Sequence, residues 1–403
     1  MSLDLRWVGP EAMDDVADVR TRAYRPGPSY RAKMFERFEI GRTQDGDFLV
    51  AYLDGQPIST ATSLSMDMHV RGKRLPAQGV AWVGTDKTHR RSGDGAATRV
   101  MHHMLDRARE RGQVVSALMP FRGSFYEHFG YGTAERLNRW RVPLSILPRG
   151  DFAGMRYTTD ADDDALFDLR SREIVAGQCD CDFGRRGFDY WKKSTGDHFR
   201  FGDFTADGRC RSTALLEVHG NKAPSNVVLD QHHWENDEAL FRQLRWLSTQ
   251  RDQHGNVELH LPIDVPLDLL LRERQLPHRP VIHDVALVKT YNRMQIRVLD
   301  HVAFCDGLAT KTPISGKVIV GIDEPEETRS VFAIEVADGR ITAAASGATP
   351  TATTTAANWA MLASGAYTAA DLQRFGLLEA DASAVAVLTA FSGGRAPFCN
   401  DYF

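Results

Sequence analysis

The sequence predicts an α/β and α+β chain of three domains, the first two built on one plan. Three observations carry this. Residues 1–140 alternate strand signals with one long amphipathic helix. Residues 155–290 repeat the order strand, long helix, strand, short helix, strand, which reads as an internal duplication. From Met294 the pattern changes to meander-like strands followed by short helices. The expected domains are residues 1–145, 146–293 and 294–403, and 403 residues suit two or three domains of roughly 150 each.

The elements follow from local chemistry. Pro10 and Glu11 suit a first helical turn, and Val16, Val19 and Ala23 recur on one face, so a helix is expected over 10–24. A strand over 48–53 meets its return strand, 58–70, across Asp54-Gly55, a pair that tolerates left-handed backbone. Arg71-Gly72-Lys73 turns again into a strand over 78–84. After a glycine-rich turn, a helix over 95–111 sets Ala96, Ala97, Val100, Met101, Met104, Leu105 and Ala108 on one face. Gly112 stops it. The apolar run 114–119 suits a buried central strand, and a short helix over 124–129 with a strand near 137–142 closes the first domain.

In the second domain, helices are expected over 161–175, 238–250 and 267–275, with strands over 215–218, 225–229, 257–262 and 281–288. One feature does not repeat. Where the first copy has glycines before its long helix, the second has Asp230-Gln231-His232-His233-Trp234-Glu235-Asn236. The histidine pairs at 102–103 and 232–233 read as solvated residues, and His128 as a surface histidine. In the third domain, strands are expected over 295–302, 316–322 and 331–337, and a Thr/Ala-rich stretch over 347–357 leads into a helix over 358–364. Thr368 suits the N-cap of a further helix, and another covers 382–391. The last residues are aromatic, which points to docking rather than fraying.

Composition excludes several classes. Hydrophobic residues at 42% and charged residues at 25% rule out a disordered, collagen-like or disulfide-scaffold chain. With 49 Lys+Arg against 53 Asp+Glu, the formal charge is −4, so no positive field attracts nucleic acid or anionic membrane. The N-terminal residues, with Asp4, Arg6 and Pro10, show no signal-peptide run, and no segment approaches the ~18 consecutive apolar residues of a membrane span. Five scattered cysteines read as reduced thiols in a cytoplasmic protein. Cys179-Asp180-Cys181 could begin a metal site, but no second Cys/His pair at ligand spacing follows, and no metal is expected.

The chemistry concentrates between Val80 and Ala97. An apolar strand runs into Arg90-x-x-Gly93-x-Gly95 and then a long helix. Glycines let the backbone turn sharply and approach a ligand, the helix offers free N–H groups and a positive dipole end, and Arg90 and Arg91 can fork onto phosphate. That combination cradles a pyrophosphate; the same residues also serve an ordinary strand-to-helix turn with solvated arginines. A dinucleotide fold is disfavoured because the Gly-x-Gly-x-x-Gly spacing is absent.

With Thr88-His89-Arg90-Arg91 and Phe125-Tyr126…Phe129-Gly130-Tyr131-Gly132, the chain resembles the GCN5-related (GNAT) N-acetyltransferases, and over nearly its whole length the Eis (enhanced intracellular survival) family. The resemblance implies tandem GNAT-like domains, the second without a pyrophosphate loop, and a C-terminal domain like sterol carrier proteins. Backbone groups of Val83, Gly84 and Thr85 would hold the pantetheine arm of acetyl-CoA, and Arg90, Arg91, Ser92, Gly93, Asp94, Gly95 and Ala96 its pyrophosphate. Phe121 and Arg122 would lie along the cofactor. Tyr126 would be the general acid and the α-carboxylate of Phe403 the general base. Asp94 in the anion loop, the loop's length, and Asp86-Lys87 in place of an apolar-Pro pair depart from the pattern.

These roles suit the residues. A phenol with pKa near 10 is protonated at neutral pH and can protonate a thiolate whose parent pKa is ~8.5. A terminal carboxylate of pKa ~3.5 becomes a better base when buried among aromatic rings. Trp82, Tyr24, Tyr30, Phe35 and Tyr402 are candidates for the amine pocket or for ordinary packing, and Glu36 and Asp401 for its acidic lining. The implied substrates are primary amines of aminoglycosides, polyamine-like drugs or lysine side chains, on small molecules or peptides. The implied assembly is a homo-oligomer, commonly a hexamer. The alternative is a non-catalytic protein carrying a lipid or small apolar ligand in the third domain.

Overall fold

The computed structural model describes residues 3–25, 27–32, 47–91, 93, 95–194, 199–220, 224–274, 284–401 and 403. The first stretch holds β1 (Leu3–Val8), α1 (Met13–Ala23), β2 (Phe48–Leu53), β3 (Gln56–Val70), β4 (Lys73–Thr85), α2 (Ala96–Glu110), β5 (Val115–Leu118), α3 (Gly123–Glu127), β6 (Gly132–Thr133) and β7 (Arg136–Pro143). The second holds β8 (Met155–Tyr157), α4 (Asp163–Ala176), β9 (Gln178–Asp182), α5 (Gly184–Ser194), β10 (Phe199–Phe204), β11 (Cys210–His219), β12 (Ser225–Trp234), α6 (Asp237–Ser248), β13 (His254–Pro262) and β14 (Leu287–Asn292). The third holds β15 (Gln295–Val298), α7 (His301–Cys305), β16 (Gly316–Asp323), β17 (Arg329–Ala337), β18 (Arg340–Ala345), β19 (Ala352–Thr355), α8 (Ala356–Ser364), α9 (Ala369–Arg374), β20 (Glu379–Ala380) and α10 (Ala382–Ser392).

Local signals act as read. Asp54 and Gly55 take φ of 49° and 84°, closing the β2–β3 hairpin. The apolar face of α2 is buried at Ala96, Val100, Met101, Met104, Leu105 and Ala108. Thr368 caps α9 in a reciprocal pair with Asp371. Strands β1, β9, β10 and β18 and helix α5 gave no readable signal. Strand β9 shows why: Gln-Cys-Asp-Cys-Asp has no β-branched or aromatic residue, yet it pairs with β3 and buries both cysteines. The expected helix over 267–275 is a single 3₁₀ turn, Leu267–Leu270, and residues 275–283 lie outside the described part.

Three sheets form. The first runs β1-β2-β3-β4-β5-β15-β6 and the second β8-β10-β11-β12-β13-β7-β14, with parallel pairs at β4/β5 and β12/β13. The third runs β18-β17-β16-β19-β20. Three strands cross the expected boundaries: β9, from the second stretch, pairs with β3 in the first sheet. Strand β7, read as the close of the first domain, pairs with β13 and β14 in the second sheet. Strand β15, read as the start of the third, sits between β5 and β6 in the first. Each of the two sheets receives its sixth strand from outside its own stretch. Alternation along a strand specifies which face is buried, not which neighbour it takes.

The first sheet is covered on both faces. One face carries α2 over Leu49, Ala61, Val80 and Leu118, in a cluster that includes Tyr126 and Tyr131. The other packs Met68, Leu75, Ala77, Val115 and Ala117 against Val318, Phe332, Trp359 and Phe391 of the third region. Arg297 on β15, almost wholly buried, donates to the Phe129 carbonyl at 2.5 Å and pairs with Glu324 at 2.9 Å, joining the two regions. No helix among the described residues is long and apolar enough to cross a membrane.

Helix α8 approaches β6 so closely that a Cβ on Gly132 would overlap the Ala357 carbonyl oxygen. Gly132→Ala is expected to lower the unfolding free energy by about 2–3 kcal/mol. Urea unfolding checks this, and an unchanged midpoint would show that the contact has slack.

Candidate active site

The site begins where a strand loses its neighbour. Strand β4 pairs with β3 along its length, but with β5 only from Ala77 to Val80. From Ala81 to Thr85 it continues with a partner on the β3 side alone, so its other backbone edge is open to a ligand. A bulge marks the parting. The β3–β4 register shifts opposite Thr60 to Thr62, and Trp82 takes a left-handed φ of 55°. Such a conformation costs a non-glycine residue about 1–2 kcal/mol and needs outside support. Tyr24 supplies it: its ring stands edge-on to Trp82 at 5.8 Å and its hydroxyl donates to the Val83 carbonyl at 2.5 Å. Arg20 lies 5.0 Å over the same indole. The Val83 carbonyl and the Gly84 carbonyl, which accepts from Ser59 at 3.0 Å, therefore already hold protein donors. Gly84 packs closely, since a Cβ there would lie 3.1 Å from side-chain atoms of Ala23 and Tyr24, tighter than an ordinary contact.

The turn beyond β4 is built to present N–H groups. Asp86 caps a 3₁₀ turn, Lys87–His89, accepting from Thr88 N at 2.9 Å and Thr88 Oγ1 at 2.8 Å, and pairs with Arg22 Nε at 2.5 Å. Burial pushes its carboxyl up; the Thr88 hydrogen bonds and Arg22 outweigh that and hold it below the ordinary range. This is what the residue at the apolar-Pro position does here: it ties the loop base to α1. Arg91, Gly93 and Gly95 then take φ of 62°, 91° and 62°. Left-handed positions in alternation turn successive N–H groups toward one concavity. A Cβ on Gly93 or Gly95 would meet nothing within 4 Å, so the backbone there is accessible. Helix α2 starts with no side-chain cap and no acid in its first turn, which leaves its positive end for an anion. Arg90 and Arg91 are exposed, with no ion-pair partner among the described residues. Ser92 and Asp94 lie outside the described residues.

The second sheet repeats the splay but closes the helix. Strands β12 and β13 pair only through Val228, and Gln231 has φ 46°, a bulge in the place of Trp82. Asn236, however, accepts from Ala239 N at 3.0 Å, and Asp237 and Glu238 fill the first turn of α6. That end repels phosphate. His232 and His233, read as solvated, are instead buried on β12, bonded to Gln243 and to Glu173. The strand continues inward at polar residues because their partners come from other elements. His128 and the 102–103 pair are exposed as read.

Tyr126, at the end of α3, is 4% exposed, with Phe125, Phe121 and Tyr131 edge-on at 5.0, 6.1 and 6.1 Å. Burial pushes its phenol well up, and Tyr24 and Tyr131 nearby push the same way. Phe121 is 69% exposed beside it, and Arg122 is exposed too. Phe403 arrives from the opposite side. Its ring fills the space a Cβ on Gly79 would take, at 3.1 Å, and stands 5.7 Å from Phe183. Gly79 and Val80 point to opposite faces of β4, and Val80 shares its cluster with Tyr126. Tyr126 and Phe403 thus converge on β4 from opposite faces, at the residues where β5 departs. Phe183, which meets Phe403, lines a shallow cleft with Phe188, Trp191, Arg170, Asp182 and Asp401. Phe35, Glu36 and Tyr402 lie outside the described residues. The sequence reading missed Gly79 and the three aromatics; only the helical spacing of Phe188 and Trp191 hinted at a shared face.

Residues 4–134, which hold the splayed strand, the glycine turn and Tyr126, match the acetyltransferase (GNAT) domain model. Residues 317–400 match the sterol carrier protein domain model. An uncharacterised N-acetyltransferase of Streptomyces avermitilis is 30% identical over 167 residues, 39% of this chain and 40% of that protein. Another, from Streptomyces griseus, is 30% identical over 149 residues, 36% and 34% of the two chains. The matches thus span two fifths or less of these relatives. Among solved structures, a GCN5-related N-acetyltransferase from Anabaena variabilis superposes over both whole chains with a TM-score of 0.86 at 17% identity. Eis1 from Mycobacterium abscessus does so with a TM-score of 0.80 at 20% identity. At these identities the likeness is one of fold, the α/β and α+β architecture that the sequence predicts.

Asp86→Asn keeps a capping oxygen but removes the ion pair with Arg22 and the charge behind the Thr88 hydrogen bonds, and is expected to cost about 0.5–1 kcal/mol at neutral pH. Because the folded state holds this carboxyl below its ordinary value, the deficit is full above about pH 4 and shrinks as pH falls below it. Urea titrations at several pH values test this; a deficit independent of pH would contradict it.

Proposed function

We propose that the protein is an acetyl-CoA-dependent N-acetyltransferase of the Eis type, acting on primary amines. The convergence of Tyr126 and Phe403 on β4 at Gly79 and Val80 carries the reading. The open edge of Ala81–Thr85 receives the pantetheine arm, with N–H groups available where two carbonyls are already engaged. Arg90 and Arg91, the left-handed turn through Gly93 and Gly95, and the free end of α2 at Ala96 hold the pyrophosphate. Phe121 and Arg122 flank the cofactor.

The amine nitrogen attacks the thioester carbonyl carbon, a C–N bond forms, and the C–S bond breaks. The amine proton goes to the Phe403 α-carboxylate and the Tyr126 phenol gives a proton to the departing thiolate. The dry surroundings that hold the phenol protonated also raise the proton affinity of a thiolate placed beside it, so the transfer stays matched. Backbone N–H groups at the bulge face the developing oxyanion. Phe183, Phe188 and Trp191 line the cleft beside Phe403 with aromatic surface, and Asp182 adds a carboxylate that suits a cationic amine. This favours aminoglycoside-like, polyamine-like or lysine-containing substrates. A homo-oligomeric, hexameric assembly and a cytoplasmic site of action belong to the same reading and rest on the resemblance. A lipid carrier is less favoured: Trp359 and Phe391 stack at 5.5 Å in the interior of the third domain, with Phe332 against them.

A thiol-release assay with acetyl-CoA and a panel of polyamines tests the reading. Tyr126→Phe is expected to lower kcat about 100-fold or more while leaving acetyl-CoA affinity unchanged. Since the phenol is held above its ordinary pKa, turnover by the parent enzyme should show no alkaline decline below about pH 10. A glycine added after Phe403, in protein shown by intact mass to end there otherwise, should reduce kcat about 100-fold. Full activity in that extended protein would remove the carboxylate from the mechanism, and no rise in melting temperature with acetyl-CoA would remove the cofactor.

A further inference from the structure

The second sheet has the splay of an acyl-CoA site and no place for a pyrophosphate, yet its cleft is not empty. The segment from Ala396 to Asp401 lies in it. Ala396 N–H donates to Asp264 at 2.9 Å, beyond the end of β13, and Phe398 sets its ring 5.7 Å from Trp234, the last residue of β12. Phe398 N–H donates to the Gln178 carbonyl at 3.0 Å, and Asn400 Nδ2 donates to the His232 carbonyl at 2.5 Å, on the strand beyond the bulge. The segment is thus held by one backbone bond to β9, one side-chain bond to a β12 carbonyl, one carboxylate and one aromatic contact.

Buried charges line the same path. Arg170 forks onto Asp180 at 2.5 and 2.8 Å, pairs with Glu173 at 3.0 Å and reaches Asp401 at 3.3 Å. Glu173 also meets His233 at 2.6 Å, and Arg293 forks onto Glu135 at 2.8 Å on both oxygens. Buried ion pairs are weak sources of stability, so their presence calls for another reason. The same carboxylates also hold the segment: Glu135 Oε1, shared with Arg293, accepts Cys399 N–H at 2.7 Å, and Asp180 Oδ1, shared with Arg170, accepts Asn400 N–H at 3.2 Å. Removing the segment would take one donor from each of these oxygens and leave the arginine forks in place.

We infer that the second domain's cofactor-type cleft is a receptor for the chain's own Ala396–Asp401 segment, and that this docking sets the position of Phe403 at Gly79. The inference rests on the role given to Phe403 above. Asn400 is a positioning residue: it touches His232, His233, Glu173 and Asp180, all in the second region, and acts only through where it puts Phe403. Any peptide of this sequence would be recognised by main-chain hydrogen bonds and one aromatic anchor.

The test uses the full chain and two readouts. Hydrogen exchange should find the amides of Phe398, Cys399 and Asn400 about 100-fold slower than unstructured chain, and about tenfold faster again in Asn400→Ala. In the same variant kcat should fall about 100-fold while acetyl-CoA binds with unchanged affinity and stoichiometry, so that every molecule counted is folded. Phe398→Ala should act in the same direction. Wild-type amides exchanging at unstructured rates, or Asn400→Ala turning over like the parent, would overturn the receptor. The glycine-extended protein separates the two ideas: there the amides stay protected, and only turnover reports on the carboxylate.

Discussion

Strand β4 stops pairing with β5 at Val80, and the site is built on the hydrogen bonds it does not make thereafter. An unpaired strand edge inside a protein is unstable unless something replaces the neighbour. Here the bulge at Trp82 breaks the β3–β4 register, Tyr24 and Ser59 take two of its carbonyls, and β5 leaves the far edge of Ala81–Thr85 without a strand partner. The left-handed turn after it, the uncapped start of α2 and the buried phenol of Tyr126 all sit around this one parting. Slip β4 by one residue in its register and Gly79 and Val80 exchange faces, and with them the sides on which Phe403 and Tyr126 pack.

The second copy shows how few residues separate a cofactor cleft from another use of the same shape. The bulge at Gln231 and the short β12–β13 pairing are kept. What differs is the helix end, where Asn236, Asp237 and Glu238 stand in place of glycines and arginines. Two kinds of change suffice: a side chain that satisfies the free N–H groups, and negative charge that opposes phosphate. Trp234 and the buried Arg170 network then fit the cleft to a polypeptide.

Much of the first domain was legible because its signals are local. Glycines at 93 and 95 are required by positive φ, and the α2 face is set by a 3.6-residue period. Tyr126 was found by its motif, and its burial follows from the aromatic run around it. What stayed hidden depends on distant partners. Strands β7 and β15 looked like ordinary amphipathic strands, and nothing in their residues says which sheet they join. His233 looked like a loop residue until Glu173, 60 positions away, supplied its hydrogen bond. Gly79 carries no chemistry of its own; its meaning is an absent side chain under Phe403.

The exchange of sixth strands has a consequence for how the protein is made. Strand β5 and strand β6 belong to the earliest third of the chain, but the strand between them begins at Gln295. At translation rates of 5–20 residues per second, the roughly 160 residues from Thr133 to Gln295 occupy about 8–30 s. During that interval Val115–Leu118, wholly apolar but for one serine, has an open edge of the kind that invites pairing with other chains. The first sheet is therefore first in the sequence without being first to finish. It closes only when most of the polypeptide has emerged, and a nascent chain shorter than about 295 residues is a natural client for chaperones that cover strand edges.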